Sequence, residues 1–457
     1  MVELDEGNGR TGRTGAVPAA RKAGPLLFLS SVLPVSPESG RVVRNTEDLP
    51  ESVTLRGEAY VTSRWQGPIK AQTWMIYENL TSVLAEEGCS LADVVRQRIF
   101  VRDVKDTYAM EETMLSFFPE EKPCTWIAGM GGVGFNPDVL VQVDIVACRS
   151  SDGEVGKETI TLPELARVTS PYPNAVKVGD LIFLGAFMGA KASDGRLVKS
   201  LDELGDEAEW LKLTHDGRGD SQTEAMRAQQ WLIVDHMKRV LEHLGGDLSD
   251  LLRIFRWFGG LLKDRVVAIG HNIFGEPRSK TPASTGFTIA NPSVIEDCKI
   301  IADGIALSPG TNQKKMIGSE EPTMEYCNVV TRGGPYCFIS GSLAMDTAKH
   351  SVVRSLADLG PRGLLLKQHM IHGKERAVAQ AWRTYANVDA ALKEVGSGLD
   401  KVVHQNIFLS DASDYLAVER VAEIVFEEGP PPTTIIPVDG IGPDPDILME
   451  IETISLA

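Results

Sequence analysis

The sequence predicts an α+β protein in which one unit, of order β-β-α-β-α-β-β, occurs three times along 457 residues. The first observation is the stretch from Ala379 to Asp411, which reads as helix, glycine turn and strand. Trp382, Tyr385, Val388, Leu392 and Val395 fall at steps of three and four, the spacing of one helix face. Gly396 follows the last apolar turn, where the left-handed conformation carries no Cβ penalty. The run from Val402 to Leu409 then has the length and apolar content of a strand.

The second observation is that this arrangement recurs. Ala71-Gln72-Thr73-Trp74 leads to Tyr77, Leu80, Leu84, Gly88 and a strand from Val94 to Phe100. Ala228-Gln229-Gln230-Trp231 leads to Val234, Met237, Leu241, Leu244, Gly245 and a strand from Leu251 to Arg256. Each Ala-Gln-x-Trp has a glycine fourteen residues after its tryptophan. The third observation is the period, roughly 150 residues, which is domain-sized and too long for a solenoid repeat. The length alone also suggests about three domains.

In chain order, residues 1–22 read as a flexible polar tail, and Leu26 to Val35 as a strand that Arg41-Val42-Val43 pairs back upon. Residues 45–67 show no period. A second helix starts near Asp106, carries Tyr108, Met110, Met114 and Phe117-Phe118, and is stopped by Pro123. Cys124–Ala128 and Val139–Val146 close the first unit, placed at 23–150. The second unit, 160–308, opens on Ser170-Pro171-Tyr172-Pro173-Asn174, has a polar insertion at 204–221, and ends in strands near Ser284–Ile289 and Asp297–Ile305. The third, 322–457, opens on Tyr336–Gly341 and carries an insertion at 346–373. Polar stretches at Ser150–Glu158 and Ser308–Glu321 read as linkers, and the three insertions as lids or surface loops.

Composition narrows the function. The hydrophobic share is 43% and the charged share 24%, ordinary for a globular protein. No apolar run is long enough to span a bilayer, and the first residues lack the apolar core of a signal peptide. Six cysteines form no CxxC pair, which points to a reducing cytoplasm. A formal charge of −17 repels phosphate backbones, so no nucleic-acid partner is expected. The eight histidines form no metal-ligand pattern, and no metal or cofactor is expected. Gly129-Met130-Gly131-Gly132-Val133-Gly134 fits GxGxxG, but another strand follows it where a dinucleotide site needs a helix, so it reads as a hairpin loop.

The run from Ser170 to Ala186, the glutamine-bearing helix with its glycine, the run from Val402 to Phe426, and the closing Leu448-Met449-Glu450-Ile451-Glu452 together resemble the Rid (reactive intermediate deaminase, YjgF) superfamily, in three tandem copies. The resemblance implies chorismate-mutase-like domains, here joined as an intramolecular pseudo-trimer, monomeric or dimeric overall, with small-molecule clefts between units. In the deaminase branch, an arginine two residues after a proline clamps the substrate carboxylate, as a bidentate guanidinium is suited to do. A glutamate on the last strand then positions water. The corresponding positions read Thr125, Ser284 and Thr434 for the clamp, and Gln142, Ile301 and Glu450 for the acid. Every clamp arginine is absent and one acid is kept; Arg98 or Arg256 would have to substitute from another strand.

The resemblance therefore implies an enzyme for a small enamine, imine or related carbonyl-derived intermediate, working by hydrolysis or isomerisation/cyclisation without the usual clamp. Glu450 would be the acid/base and Thr434 its partner; each is otherwise an ordinary strand residue. Thr125, Trp126, Gln142, Ser284 and His404 are expected to bind substrate, with Glu111 and Glu419 on the second helices and Tyr172 and Asn174 as a cleft wall. The bland readings are packed strand residues, solvated helical carboxylates and turn chemistry. Cys124 is better read as a small packed residue than a nucleophile. The alternative function is a non-catalytic ligand-binding or scaffolding pseudo-trimer. An RNA-cleaving activity is disfavoured by the acidic charge.

Overall fold

The computed structural model describes residues 6–7, 18–55, 63–134, 136–149, 156–169, 171–206, 211, 221–259, 282–311, 315–317, 330–369, 371–442 and 444–457. The first unit contains β1 (Glu6–Gly7), β2 (Ala20–Ala23), β3 (Leu26–Leu29), α1 (Ser63–Glu86), β4 (Val94–Val101), α2 (Thr107–Leu115), β5 (Cys124–Gly129) and β6 (Val141–Cys148). The second contains β7 (Lys157–Ile160), α3 (Ala166–Thr169), β8 (Ala175–Val178), β9 (Leu181–Met188), α4 (Ser221–His243), β10 (Leu251–Gly259), β11 (Ala283–Ile289) and β12 (Ile300–Leu307). The third contains β13 (Lys315–Ile317), β14 (Val330–Gly333), β15 (Tyr336–Ile339), β16 (Ser342–Leu343), β17 (Met345–Asp346), β18 (Ser351–Val352), α5 (Pro361–Leu366), α6 (Glu375–Glu394), β19 (Val402–Leu409), α7 (Tyr415–Val425), β20 (Thr433–Pro437) and β21 (Met449–Leu456).

Three mixed sheets of one design result. A hairpin leads, the last strand lies beside it, the strand after the long helix comes next, and the remaining strand closes the edge: β2-β3-β6-β4-β5, β8-β9-β12-β10-β11 and β14-β15-β21-β19-β20. The pairs β4–β5, β10–β11 and β19–β20 are parallel, and the other neighbours antiparallel. The long helix packs one apolar face onto its sheet; Tyr385, Val388 and Leu392 are fully buried with Ile339, Ile407 and Ile451. Gly88, Gly245 and Gly396 all have positive φ, as the turn after each helix requires.

The glutamine of the repeated motif has a structural task. Gln72, Gln229 and Gln380 each clip the loop that precedes the last strand: Gln380 Nε2 donates to Asp446 O at 2.7 Å and Gln380 Oε1 accepts from Leu448 N at 2.8 Å. Gln72 does the same with Asp138 and Leu140, and Gln229 with Asp297 and Lys299. The motif tryptophans hold a strap. Trp74 packs with Val43, Leu49 and Leu55, and Trp231 with Val198, Leu201 and Leu211. Trp382 packs with Leu356 and Leu366 in the third copy.

Several expectations are corrected. The leading hairpin joins β2 and β3, not Leu26–Val35 with Arg41–Val43; the latter contributes a single bridge, Val35 to Val42. Ala20–Ala23 is a strand, and Glu6–Gly7 pairs with it, inside the stretch expected to be a tail; residues 1–5 and 8–17 lie outside the described residues. The described parts of the three insertions form one recurring strap with a 3-10 turn, at Thr46–Asp48, Leu201–Glu203 and Leu356–Leu359. Residues 56–62, 207–210 and 212–220 of those segments, the second-helix segment of the second copy (260–281), and much of both linkers lie outside the described residues. The GxGxxG loop is not a hairpin, because β5 and β6 flank β4 on opposite sides. It meets the second copy instead, where Gly129 pairs with Asn291 through bonds of 2.9 and 3.0 Å.

The three sheets close around a pseudo-threefold axis lined by β4, β10 and β19. Toward one end Val95, Leu252 and Val403 pack with Phe28, Phe183 and Phe338. Toward the other, Phe100, Trp257 and Phe408 sit at equivalent positions and pack with Trp126, Phe287 and Ile436. Trp126 and Trp257 have ring centroids 4.5 Å apart, and Phe287 and Phe408 stack at 3.8 Å. Between these apolar layers lies a ring of charges. Arg98 grips Asp303 bidentately at 2.9 and 2.8 Å, Arg253 pairs with Glu452, and His404 Nε2 lies 3.5 Å from Asp144. First copy joins second, second joins third, and third joins first.

Candidate active site: three unequal clefts

Strand register fixes which residues are equivalent. Gln142, Ile301 and Glu450 lie opposite Phe100, Trp257 and Phe408 respectively. On the edge strands, Thr125, Ser284 and Thr433 lie opposite Gln97, Ile254 and Gln405. The third-copy clamp position is therefore Thr433, one residue before the expected Thr434. Side-chain contacts agree: Gln97 Nε2 donates to Thr125 Oγ1 at 2.9 Å and Gln405 Nε2 to Thr433 Oγ1 at 3.0 Å. Thr434 turns to the axis, where its hydroxyl donates to Asp144 at 3.1 Å, so it does not meet Glu450.

Three junctions follow, each setting one copy's edge strand against the next copy's last strand. The cleft between first and second copies is a cavity of about 240 Å³ that includes Thr107, Glu111, Thr125, Tyr172, Met188 and Ile301. Tyr172 donates its hydroxyl to Glu111 across the junction. Burial, and then the Glu111 charge, push the Tyr172 phenol far up. Asn174 lies behind the wall, fully buried; its Nδ2 donates to Thr169 Oγ1 at 2.8 Å and its Oδ1 accepts from Leu162 N at 2.6 Å.

The cleft between third and first copies is drawn together by hydrogen bonds. Gln142 Nε2 donates to Ser31 Oγ at 2.7 Å and to Ile435 O at 3.0 Å, and Thr433 N donates to Ser30 Oγ at 2.9 Å. Nearby on the third copy, Glu419 accepts from Tyr415 at 2.9 Å.

The cleft between second and third copies holds Glu450. A Cβ on Gly341 would collide with Glu450 Oε1, so the carboxylate lies directly over that glycine. The equivalents of Gly341 are Ser31, which bonds Gln142, and Ala186, which lines the cavity with Ile301. Space over the glycine thus exists only in the copy that carries the acid. Gly341 N donates to Ser284 O at 3.3 Å and Ser284 N to Ser340 Oγ at 2.9 Å, tying the two walls together. Arg256, from the strand beside Ser284, donates to Ser284 Oγ at 2.6 Å. Arg256 thus brings a guanidinium to the residue at the clamp position of the junction that holds Glu450, from a strand the motif does not use. The sequence signal was an arginine where the first and third copies have Ile99 and Ile407.

Other expected site residues lie elsewhere. Trp126 is 2% exposed and packs on the axis. His404 is 1% exposed and faces Asp144 there. Burial alone would raise the Asp144 carboxyl, but the His404 hydrogen bond and the charges of His404, Arg96 and Arg98 hold it well below the usual range. Arg98 is committed to Asp303, so it cannot serve as a clamp. Cys124 donates to Phe183 O at 3.2 Å, and burial pushes its thiol far up, which removes the thiolate a nucleophile needs. Among the described residues no three His, Cys, Asp or Glu side chains group as a metal site, and no helix is long and apolar enough to cross a membrane.

The three sheets of one design define a class of tandem-repeat α+β proteins. The family model described as Endoribonuclease L-PSP matches residues 60–149 and 317–457, about half of the chain. The chain belongs to this family, the Rid superfamily. A RutC family protein of Pyrococcus abyssi is 28% identical over 133 residues, covering 29% of this chain and 86% of that protein. The 3-aminoacrylate deaminase RutC of Acinetobacter baylyi is 36% identical over 81 residues, 18% of this chain and 63% of that enzyme. Among solved structures, RidA of a Psychrobacter species is 23% identical, covering 28% of this chain and 85% of that one, with a TM-score of 0.22.

Proposed function

We propose that the chain is a Rid-type enzyme that acts on a small enamine, imine or related carbonyl-derived intermediate in the cleft between its second and third units. We take the units as the spans from β1 to β6, β7 to β12 and β13 to β21. The observation that carries this reading is Glu450 over Gly341, opposite Ser284 and Arg256.

For hydrolysis, Glu450 takes a proton from water as the water oxygen bonds to the C=N carbon. The nitrogen receives that proton, the carbinolamine hydroxyl then gives up its own proton to the amine by way of Glu450, and the C–N bond breaks as C=O forms, releasing ammonia and a carbonyl compound. For isomerisation, the same carboxylate removes a proton at one carbon and returns it at another. Arg256 supplies a cation for an acidic group on the substrate, in place of the clamp the motif lacks. The deaminase among the relatives supports the substrate class.

The test is ammonia release from freshly generated 3-aminoacrylate and 2-aminoacrylate. Glu450→Gln is expected to abolish turnover with the melting temperature kept, and Arg256→Met to raise KM more than it lowers kcat. Full turnover in Glu450→Gln would sink the assignment. A wild-type chain that binds these compounds without converting them would move the protein to the binding-only alternative.

A further inference from the structure

We infer that the cleft between the first and second units is a separate binding site for a small apolar molecule carrying an N–H or ammonium donor. Its cavity of about 240 Å³ matches a single-ring compound rather than a peptide or nucleotide. One side of the wall is apolar, with Ile127, Met188 and Ile301, and Ile301 stands where Glu450 stands in the neighbouring copy.

Two groups on one helix, α2, supply the polar end. Thr107 Oγ1 is a buried atom with no hydrogen-bond partner, on a residue 6% exposed, and it lines the cavity. One turn on, Glu111 accepts from Tyr172 through one carboxylate oxygen, and the other oxygen has no hydrogen bond among the described residues. The Thr107 hydroxyl can donate or accept, but the second Glu111 oxygen can only accept, so a ligand donor satisfies both. No lysine, arginine or histidine is among the described lining residues, so a carboxylate ligand would face Glu111 with nothing to neutralise it. This inference does not depend on the proposed reaction.

Calorimetric titration of the full chain with 2-phenylethylamine and with 3-phenylpropanoate tests it, since the two share a ring and similar length but differ in charge. The amine is expected to bind at one site per chain, at least ten-fold tighter than the carboxylate. Glu111→Gln should weaken the amine at least ten-fold, and Met188→Trp, which fills the cavity, should abolish its binding. Glu450→Gln should leave it unchanged. Thr107→Val, nearly isosteric, probes the same contact should Glu111→Gln disturb the junction, and should weaken the amine several-fold. Equal or tighter binding of the carboxylate, binding of neither probe, amine affinity untouched in both α2 variants, or binding retained in Met188→Trp would each overturn the inference.

Discussion

Single positions decide what each cleft can do. Gly341 is the clearest, because no side chain fits beneath Glu450. Gly341→Ala should displace the carboxylate and lower turnover by about 10²-fold or more, the range of a lost general acid/base, while leaving the unit folded; matched activity and melting curves check both halves. His236 is a second such position. It occupies the place of Asn79 and Asn387, which hold the strap by donating to Val35 O at 2.9 Å and to Leu343 O at 2.9 Å. Among the described residues, neither ring nitrogen of His236 has a hydrogen bond, and burial, then Arg239, push its pKa down to about 4. A folded pKa below the unfolded value means stability is complete above about 6.5 and falls as pH drops toward 4, by about 2 kcal/mol at pH 5. His236→Asn should remove that loss, which urea unfolding at pH 7 and pH 5 would show as a smaller pH difference in the variant.

At the scale of elements, the repeated helix-glycine-strand unit was legible because each residue in it obeys a local rule. The glutamine clip was visible as a recurring letter but not as a function, since its partners lie 66 to 70 positions away. Gln380→Ala would leave Leu448 N and the buried Val353 O without this partner, while Asp446 O keeps Arg376, costing about 1–3 kcal/mol for each group left without a partner; a melting temperature lowered by several degrees is the expected readout. The leading hairpins were readable too, from Gly24, Gly179 and Gly334, whose positive φ suits a two-residue turn. They went unrecognised because Ala20–Ala23 lacks an alternating pattern. The site was less legible. A one-residue slip at the three prolines before Thr433 exchanged a cleft residue for an axial one, because side-chain direction alternates along a strand. Glu450 was found by its motif; Arg256 was visible beside Arg98 only as a possible substitute, because sequence alone does not say which of the two reaches the clamp position from another strand.

At the scale of the molecule, the ring of ion pairs is what makes three sheets one body. Its members are buried, so salt should screen them little. Arg98→Met would leave Asp303 buried and unpaired, costing about 3–5 kcal/mol, whereas adding Asp303→Leu should restore most of it. Urea unfolding of the single and double variants measures the difference. The acids of this ring recur at one place in every copy, Asp144, Asp303 and Glu452, which was the overlooked sequence signal. Asp144, held well below the ordinary carboxylate range, adds stability that is complete above about pH 4 and lost as pH falls further, below the window in which His236 acts.

The three pairs of the ring are not interchangeable: one is a bidentate arginine–aspartate, one an arginine–glutamate, one a histidine–aspartate. A homotrimer inherits every change three times, since one codon writes all its clefts at once. Here each cleft has its own codons, and each joint its own chemical key. A mutation that empties, closes or recharges one cleft is not imposed on the other two. One chain can therefore keep an acid in one cleft, cross-link another, and leave the third open to a different ligand.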